Sequence, residues 1–129
     1  MVPPPQPVIA DEFAHLLVAD TLNAGRLANP PHPLWRHLDT FYVLQEPTYA
    51  SIYPVGQGAI LAVGQALTGE PWAGLLLAVA LMCGATGWML FGCLPAGWAA
   101  AGSLLAAIQY GLAAPNVDTY WGGAFCAFG

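Results

Sequence analysis

Between Glu70 and Asp118 the chain carries no Asp, Glu, Lys or Arg, and this interval holds two long apolar runs, 71–93 and 96–114, parted only by Leu94-Pro95. A helix of roughly 20 apolar residues covers about 30 Å of hydrocarbon, and a two-residue break permits nothing but a tight reversal. The pattern predicts a transmembrane helical hairpin. Two crossings return a chain to the face it left. Asp11-Glu12, ahead of the hairpin, and Asp118, after it, are therefore expected to share one aqueous compartment. A third apolar run opens at Tyr120 and the sequence stops within it at Gly129, so the chain reads as the front part of a longer protein.

Ahead of the hairpin the pattern is shorter-ranged. Residues 1–10 are proline-rich and predicted extended. Helical spacing over 11–24 puts Phe13, Leu16, Leu17 and Ala24 on one side, with Asp20 interrupting it and Asp11, His15 and Asn23 elsewhere. The acids sit where a helix dipole favours them, and Gly25 is a suitable stop. A helix this short does not cross a bilayer; it lies on the membrane surface or packs on protein, and the two are compatible. Residues 27–53 read as a long loop rich in turn and aromatic residues, ordered against a partner surface. The apolar segment 58–69, entered through Gln57 and containing Gln65, is also short for a span and suits a re-entrant or interfacial helix; the alternative, a crossing, would set Asp11-Glu12 and Asp118 on opposite sides of the membrane. The expected fold is all-α: a polytopic membrane protein fragment, with residues 1–70 forming a loop with juxtamembrane helices and 71–129 the transmembrane helices (71–93, 96–114 and the start of a third from 120).

Composition sharpens this. The chain is 57% hydrophobic and 7% charged, with a mean hydropathy of +0.59, against about 25% charged in soluble domains. A net charge of −5 gives no basic footprint for nucleic acid. Trp72, Trp88, Trp98 and Trp121 fall near the ends of the two runs, as in an interfacial aromatic belt. The connector has no Lys or Arg to orient the hairpin, and Met1–Pro5 lacks the basic and apolar regions of a secretory signal. Cys83 and Cys93 are separated by about 15 Å of helical rise, too far for a disulfide; with Cys126 they are expected to be core residues.

Candidate chemistry rests on the acids. Asp118 is the lone charge after Glu70 and stands at a helix entrance, where it can cap the helix, serve as a functional carboxylate, or do both. Asp11-Glu12 carries the same alternatives, catalytic pair or solvated acids at a helix start. Paired carboxylates suit general-base work and a hard divalent cation. His32 and His37 lack further ligands at zinc spacing, and neither a Walker loop, a nucleophile elbow nor an HExxH motif is present.

Asp11-Glu12-Phe13 followed by a short helix, the segment Tyr49-Ala50-Ser51-Ile52-Tyr53-Pro54-Val55-Gly56-Gln57, and Asp118-Thr119-Tyr120-Trp121-Gly122-Gly123 together resemble the GT-C membrane glycosyltransferases of bacteria. Among these the chain resembles the dolichyl-phosphate-mannose-protein mannosyltransferase-like proteins of family 39. The similarity covers the front part of such an enzyme. It implies a multi-pass cell-membrane transferase that moves a sugar from a polyprenyl-phosphate carrier to an acceptor on the extracytoplasmic face, where residues 1–70 would lie. By this resemblance Asp11 matches the first-loop catalytic acid, Glu12 its partner and Asp118 the second acidic position. Tyr53, Pro54 and Gln57 match the turn lining the donor cavity, with Tyr120 beside Asp118. Many members of the family carry a basic residue where this chain has Ile52 and a second proline where it has Val55; Arg36 or Arg26 could substitute in meeting the donor phosphate. The implied partners are the lipid-linked donor, membrane lipid and the remaining spans of the parent. No metal or other cofactor is called for, beyond a divalent cation that the acids could take. The competing expectation is a non-enzymatic small membrane protein or transporter fragment whose acids bind an ion or cap helices.

Overall fold

The structure, a computed structural model of the 129-residue chain, describes residues 5–37, 39–113, 119–120 and 123–128. It is mostly helical. Five α-helices are described: α1 (Ala10–Asn23), α2 (Val55–Thr68), α3 (Pro71–Cys93), α4 (Ala96–Ile108) and α5 (Gly123–Phe128). A 3-10 turn, Trp35–His37, and two antiparallel two-residue strands, β1 (Val43–Leu44) and β2 (Ala50–Ser51), lie in the long connection between α1 and α2. The expected loop thus contains a small hairpin, with Val43 opposite Ser51 and Leu44 opposite Ala50.

Local chemistry sets the helix ends. Gly25, at φ 70°, closes α1: its N–H reaches the Leu22 carbonyl at 2.9 Å, and the Arg26 N–H reaches Thr21 at 3.0 Å. This paired closure needs a left-handed residue after the helix. Gly69, at φ 84°, ends α2 in the same region of backbone space. Pro71 then opens α3, where a missing N–H costs nothing. Leu94-Pro95 separates α3 from α4, and the two helices pack as a hairpin, Gly87 against Ser103 and Gly102 against Leu90.

Small residues let the helices approach closely. A Cβ at Gly58 would strike Val18 of α1, one at Gly64 the backbone of Gly74, and one at Gly74 the backbone of Ile60. These contacts, with Gln65 bonded to both Asp20 and Asn23, set α1 parallel to α2 and α2 antiparallel to α3. Two linked clusters fill the centre: Ala19, Leu61, Ala62, Leu75 and Tyr120 in one, Ile60, Ala78, Val79, Met82 and Ala124 in the other.

Several details depart from the sequence pattern. The second apolar run is α-helical only to Ile108 and continues as a π turn, Gln109–Ala113. Among the described residues one helix, α3, has the length and apolarity to cross a membrane; α2 is apolar but short. The buried side of α1 is Glu12, Ala14, His15, Val18, Ala19 and Thr21, whereas Phe13 and Ala24 are exposed. Burial there follows the backbone N–H partners that Glu12 finds and the Tyr53 ring that covers His15, which apolar spacing does not register. Cys93 is exposed and Cys83 half-buried, both as free thiols; the Cys126 side chain lies outside the described residues.

Candidate functional site

The site is built on the first turn of α1. Ile9, at the N-cap, has no side-chain acceptor, so Glu12 bends back to supply one. Its Oε2 accepts from the Val8 N–H at 2.7 Å and the Ile9 N–H at 3.1 Å. Its Oε1 accepts from the backbone N–H of Tyr120 at 3.0 Å, a bond spanning 108 residues. Burial pushes the Glu12 carboxyl upward, but the three N–H donors from Val8, Ile9 and Tyr120 outweigh it and hold the group below the usual 4.5. Glu12 is thus a charged, fully engaged carboxylate, buried at 2% exposure.

Tyr120 is fastened at three points. Besides its N–H, its carbonyl accepts a long bond from Gln57 Nε2 at 3.4 Å, and its hydroxyl donates to the Pro5 carbonyl at 3.1 Å. Burial, with the negative charges of Glu70 and Glu12, raises its phenol pKa above 10.0. Gln57 is buried as well, and its Oε1 has no hydrogen-bond partner among the described residues.

Asp11, beside Glu12, turns the other way and is only half-buried. It faces the phenol of Tyr53, whose pKa rises through desolvation and then through the hydrogen bond and charge of Asp11, with Tyr42 adding to it. The Tyr53 ring lies 4.7 Å from the His15 ring on one side and 6.0 Å from Tyr42 on the other. His15 is one helical turn past Asp11. Burial lowers its pKa below 6.5, and the nearby Asp11 charge only partly restores it. Its Nδ1 is buried without a hydrogen-bond partner among the described residues.

Glu12, Gln57 and Tyr120 therefore meet in one place, and Asp11 meets Tyr53 on the adjoining face of α1. Pro54 is exposed and serves as the N-cap of α2. Arg36 is exposed in the 3-10 turn, its guanidinium 5.5 Å above the ring of its own neighbour Trp35; Arg26 is likewise exposed. Asp118 and Trp121 lie outside the described residues. His15 and Tyr42 were not among the expected site residues. The spacing of Asp11 and His15, four apart on one helix, was the available signal. Among the described residues no group of three or more His, Cys, Asp or Glu side chains stands close enough to hold a metal ion.

Comparison with protein-family models, with curated proteins and with solved structures finds no match for this chain.

Proposed function

We propose that the chain is the front part of a multi-pass, GT-C-like membrane glycosyltransferase that transfers a hexose or pentose from a polyprenyl-phosphate carrier on the extracytoplasmic face. The observation that supports this reading is the bond between Glu12 and the Tyr120 N–H. It draws the chain two residues beyond Asp118 to the residue next to Asp11, as a shared acidic site requires. In this reading Asp11 is the working base, accepting the acceptor hydroxyl's proton as that oxygen bonds to the anomeric carbon and the bond from that carbon to the phosphate oxygen breaks, releasing polyprenyl phosphate. Its half-exposed carboxylate is reachable, and Tyr53 orients it. Glu12, with both oxygens engaged, holds the two segments together and takes no proton from substrate. Asp118 would position the acceptor or a divalent cation, and the donor phosphate would fall to Arg26 or Arg36. The remaining spans of the parent would complete the donor cavity.

The test is sugar transfer in membranes carrying the full reading frame, using polyprenyl-phosphate hexose and pentose donors. Asp11→Asn should lower the rate by roughly 10²–10⁴-fold, the range of a general-base contribution, and Asp118→Asn should also impair it. Wild-type rates in both variants would refute the assignment. The engagement of Glu12 by three backbone donors favours a second reading, a non-enzymatic membrane protein whose acids cap and fasten helices. That reading predicts no transfer with any donor.

A further inference from the structure

The two halves of α3 have different neighbours. Over residues 71–82 its inner face, Gly74, Leu75, Ala78, Val79 and Met82, is buried by α2, with α1 and Tyr120 completing the layer. Irregular chain packs on the outer side of that layer: Leu27, Ala50, Ser51 and Tyr53 surround Val18, Thr21 and Leu22 of α1. Because α1 is parallel to α2 and α2 antiparallel to α3, this irregular chain stands level with the first half of α3. Past Met82 the surroundings change. Trp88, Met89 and Phe91 on α3 and Trp98, Leu104 and Leu105 on α4 are exposed, between 57% and 86%. A trough of about 730 Å³ runs beside them, lined by Cys83, Gly84, Gly87, Trp88, Phe91, Gly92 and Ser103.

We infer that residues 83–108 form a lipid-insertion hairpin that enters and leaves one leaflet by the same face, while 71–82 stays outside the hydrocarbon. Two observations identify lipid as the occupant. Of the exposed apolar residues only Trp88 and Phe91 line the trough, so a single partner helix seated in it would leave Met89, Trp98, Leu104 and Leu105 bare. No Asp, Glu, Lys or Arg occurs between Glu70 and Asp118. Length fits as well: the eleven residues 83–93 rise about 17 Å, close to half of the roughly 30 Å hydrocarbon layer.

A complete crossing by α3 is the rival, and Trp88 and Trp98 speak for it, since tryptophan favours interfaces. The opposing cost is larger. Crossing would carry the irregular chain at Leu27, Ala50, Ser51 and Tyr53, together with the adjoining exposed Arg26, to the depth of the acyl chains. Unsatisfied backbone in lipid is tolerated only where protein or water covers it, and charged side chains there are expensive. Two indole N–H groups within a leaflet weigh less than that whole segment. Entry and exit by one face still return Tyr120 to the side of α1, so the shared acidic site does not require two full crossings.

The experiment uses the full chain in sealed phosphatidylcholine vesicles with membrane-impermeant maleimide on either side. In one variant Cys93 is kept and Cys83→Ser and Cys126→Ser are made; in another all three cysteines are replaced by serine and Leu77→Cys is added. Position 77 should label at least tenfold faster than Cys93. Cys93 should resist from both sides, and a bimane attached to it in detergent before reconstitution should be quenched by nitroxides deep in the acyl chains. Labelling of Cys93 from the face opposite position 77 would overturn the inference in favour of a crossing. Equal protection of position 77 would also overturn it. Protection of Cys93 without acyl-chain quenching would show that a second copy covers the hairpin, overturning lipid as the occupant. No sugar donor is present, so failure here leaves the transferase reading untouched, and absence of transfer leaves this inference untouched.

Discussion

Replacing Glu12 with Gln tests the central contact of the site most directly. Both carboxylate oxygens accept backbone N–H groups, Oε2 from Val8 and Ile9 and Oε1 from Tyr120 at 3.0 Å. An amide has one oxygen. Turned toward Val8 and Ile9 it keeps the two local bonds and sets an NH₂ against the Tyr120 N–H, donor facing donor. A buried donor left without an acceptor costs about 1–3 kcal/mol. At RT of about 0.59 kcal/mol, that is a roughly 5- to 160-fold rise in the population in which Tyr120 has come away. Hydrogen exchange resolved by mass spectrometry, with the protein in phosphatidylcholine nanodiscs, reads that population at the Tyr120 amide. Amides in the middle of α1, such as Ala19, should change much less, because the two local bonds persist. Glu12→Ala, which removes all three bonds, should open Tyr120 further and loosen the first turn of α1. Unchanged exchange at Tyr120 in Glu12→Gln refutes the claim that this carboxylate fastens the two segments.

Other consequences can be checked separately. The lowered pKa values of His15 and Glu12 mean that the unfolded chain binds more protons than the folded one. Stability should therefore be full between about pH 6.5 and 10, where the raised phenol pKa values of Tyr53 and Tyr120 set the alkaline limit. It should fall as His15 protonates on the acid side, and fall again as pH drops below about 4.5 and Glu12 is lost; His15→Gln should abolish the limb below about pH 6.5 in acid titrations of unfolding. Gly64→Ala forces a methyl onto the Gly74 backbone and should cost about 1–3 kcal/mol, seen as a lower denaturant midpoint. Gly84→Ala, with nothing within 4 Å of the added carbon, should be neutral or stabilising by up to about 1 kcal/mol. Under the transferase reading, Tyr53→Phe removes the hydroxyl that faces Asp11 and should slow transfer by about fivefold, while lowering stability by one hydrogen bond's worth; an unchanged rate would remove Tyr53 from the site.

The hairpin was legible because nothing competes with it: an uncharged interval broken at Leu94-Pro95 has one sensible folding, and Gly25 and Gly69 end helices for local reasons. The orientation of α1 was not legible. Apolar spacing favoured the side bearing Phe13 and Ala24, yet the helix buries Glu12 and His15. The polar group that satisfies Glu12 from outside its own turn is the N–H of Tyr120, and the ring that covers His15 is Tyr53. Such partners are invisible to a pattern read along one helix. The same limit separates Asp11 from Glu12, adjacent in sequence but opposite in role, since one faces a phenol and the other faces backbone. Gln57, expected as part of a turn motif lining a donor cavity, is a buried amide against Tyr120.

The bond from residue 12 to residue 120 also sets an order of events during synthesis. Two of the three donors to Glu12 emerge before it and can be engaged as soon as α1 leaves the ribosome; the third is made 108 residues later. At about 5–20 residues per second, the first helix waits several seconds or more for its last ligand. Throughout that interval one carboxylate oxygen must stay wet, so α1 cannot be sealed into the packed layer before the hairpin has folded back.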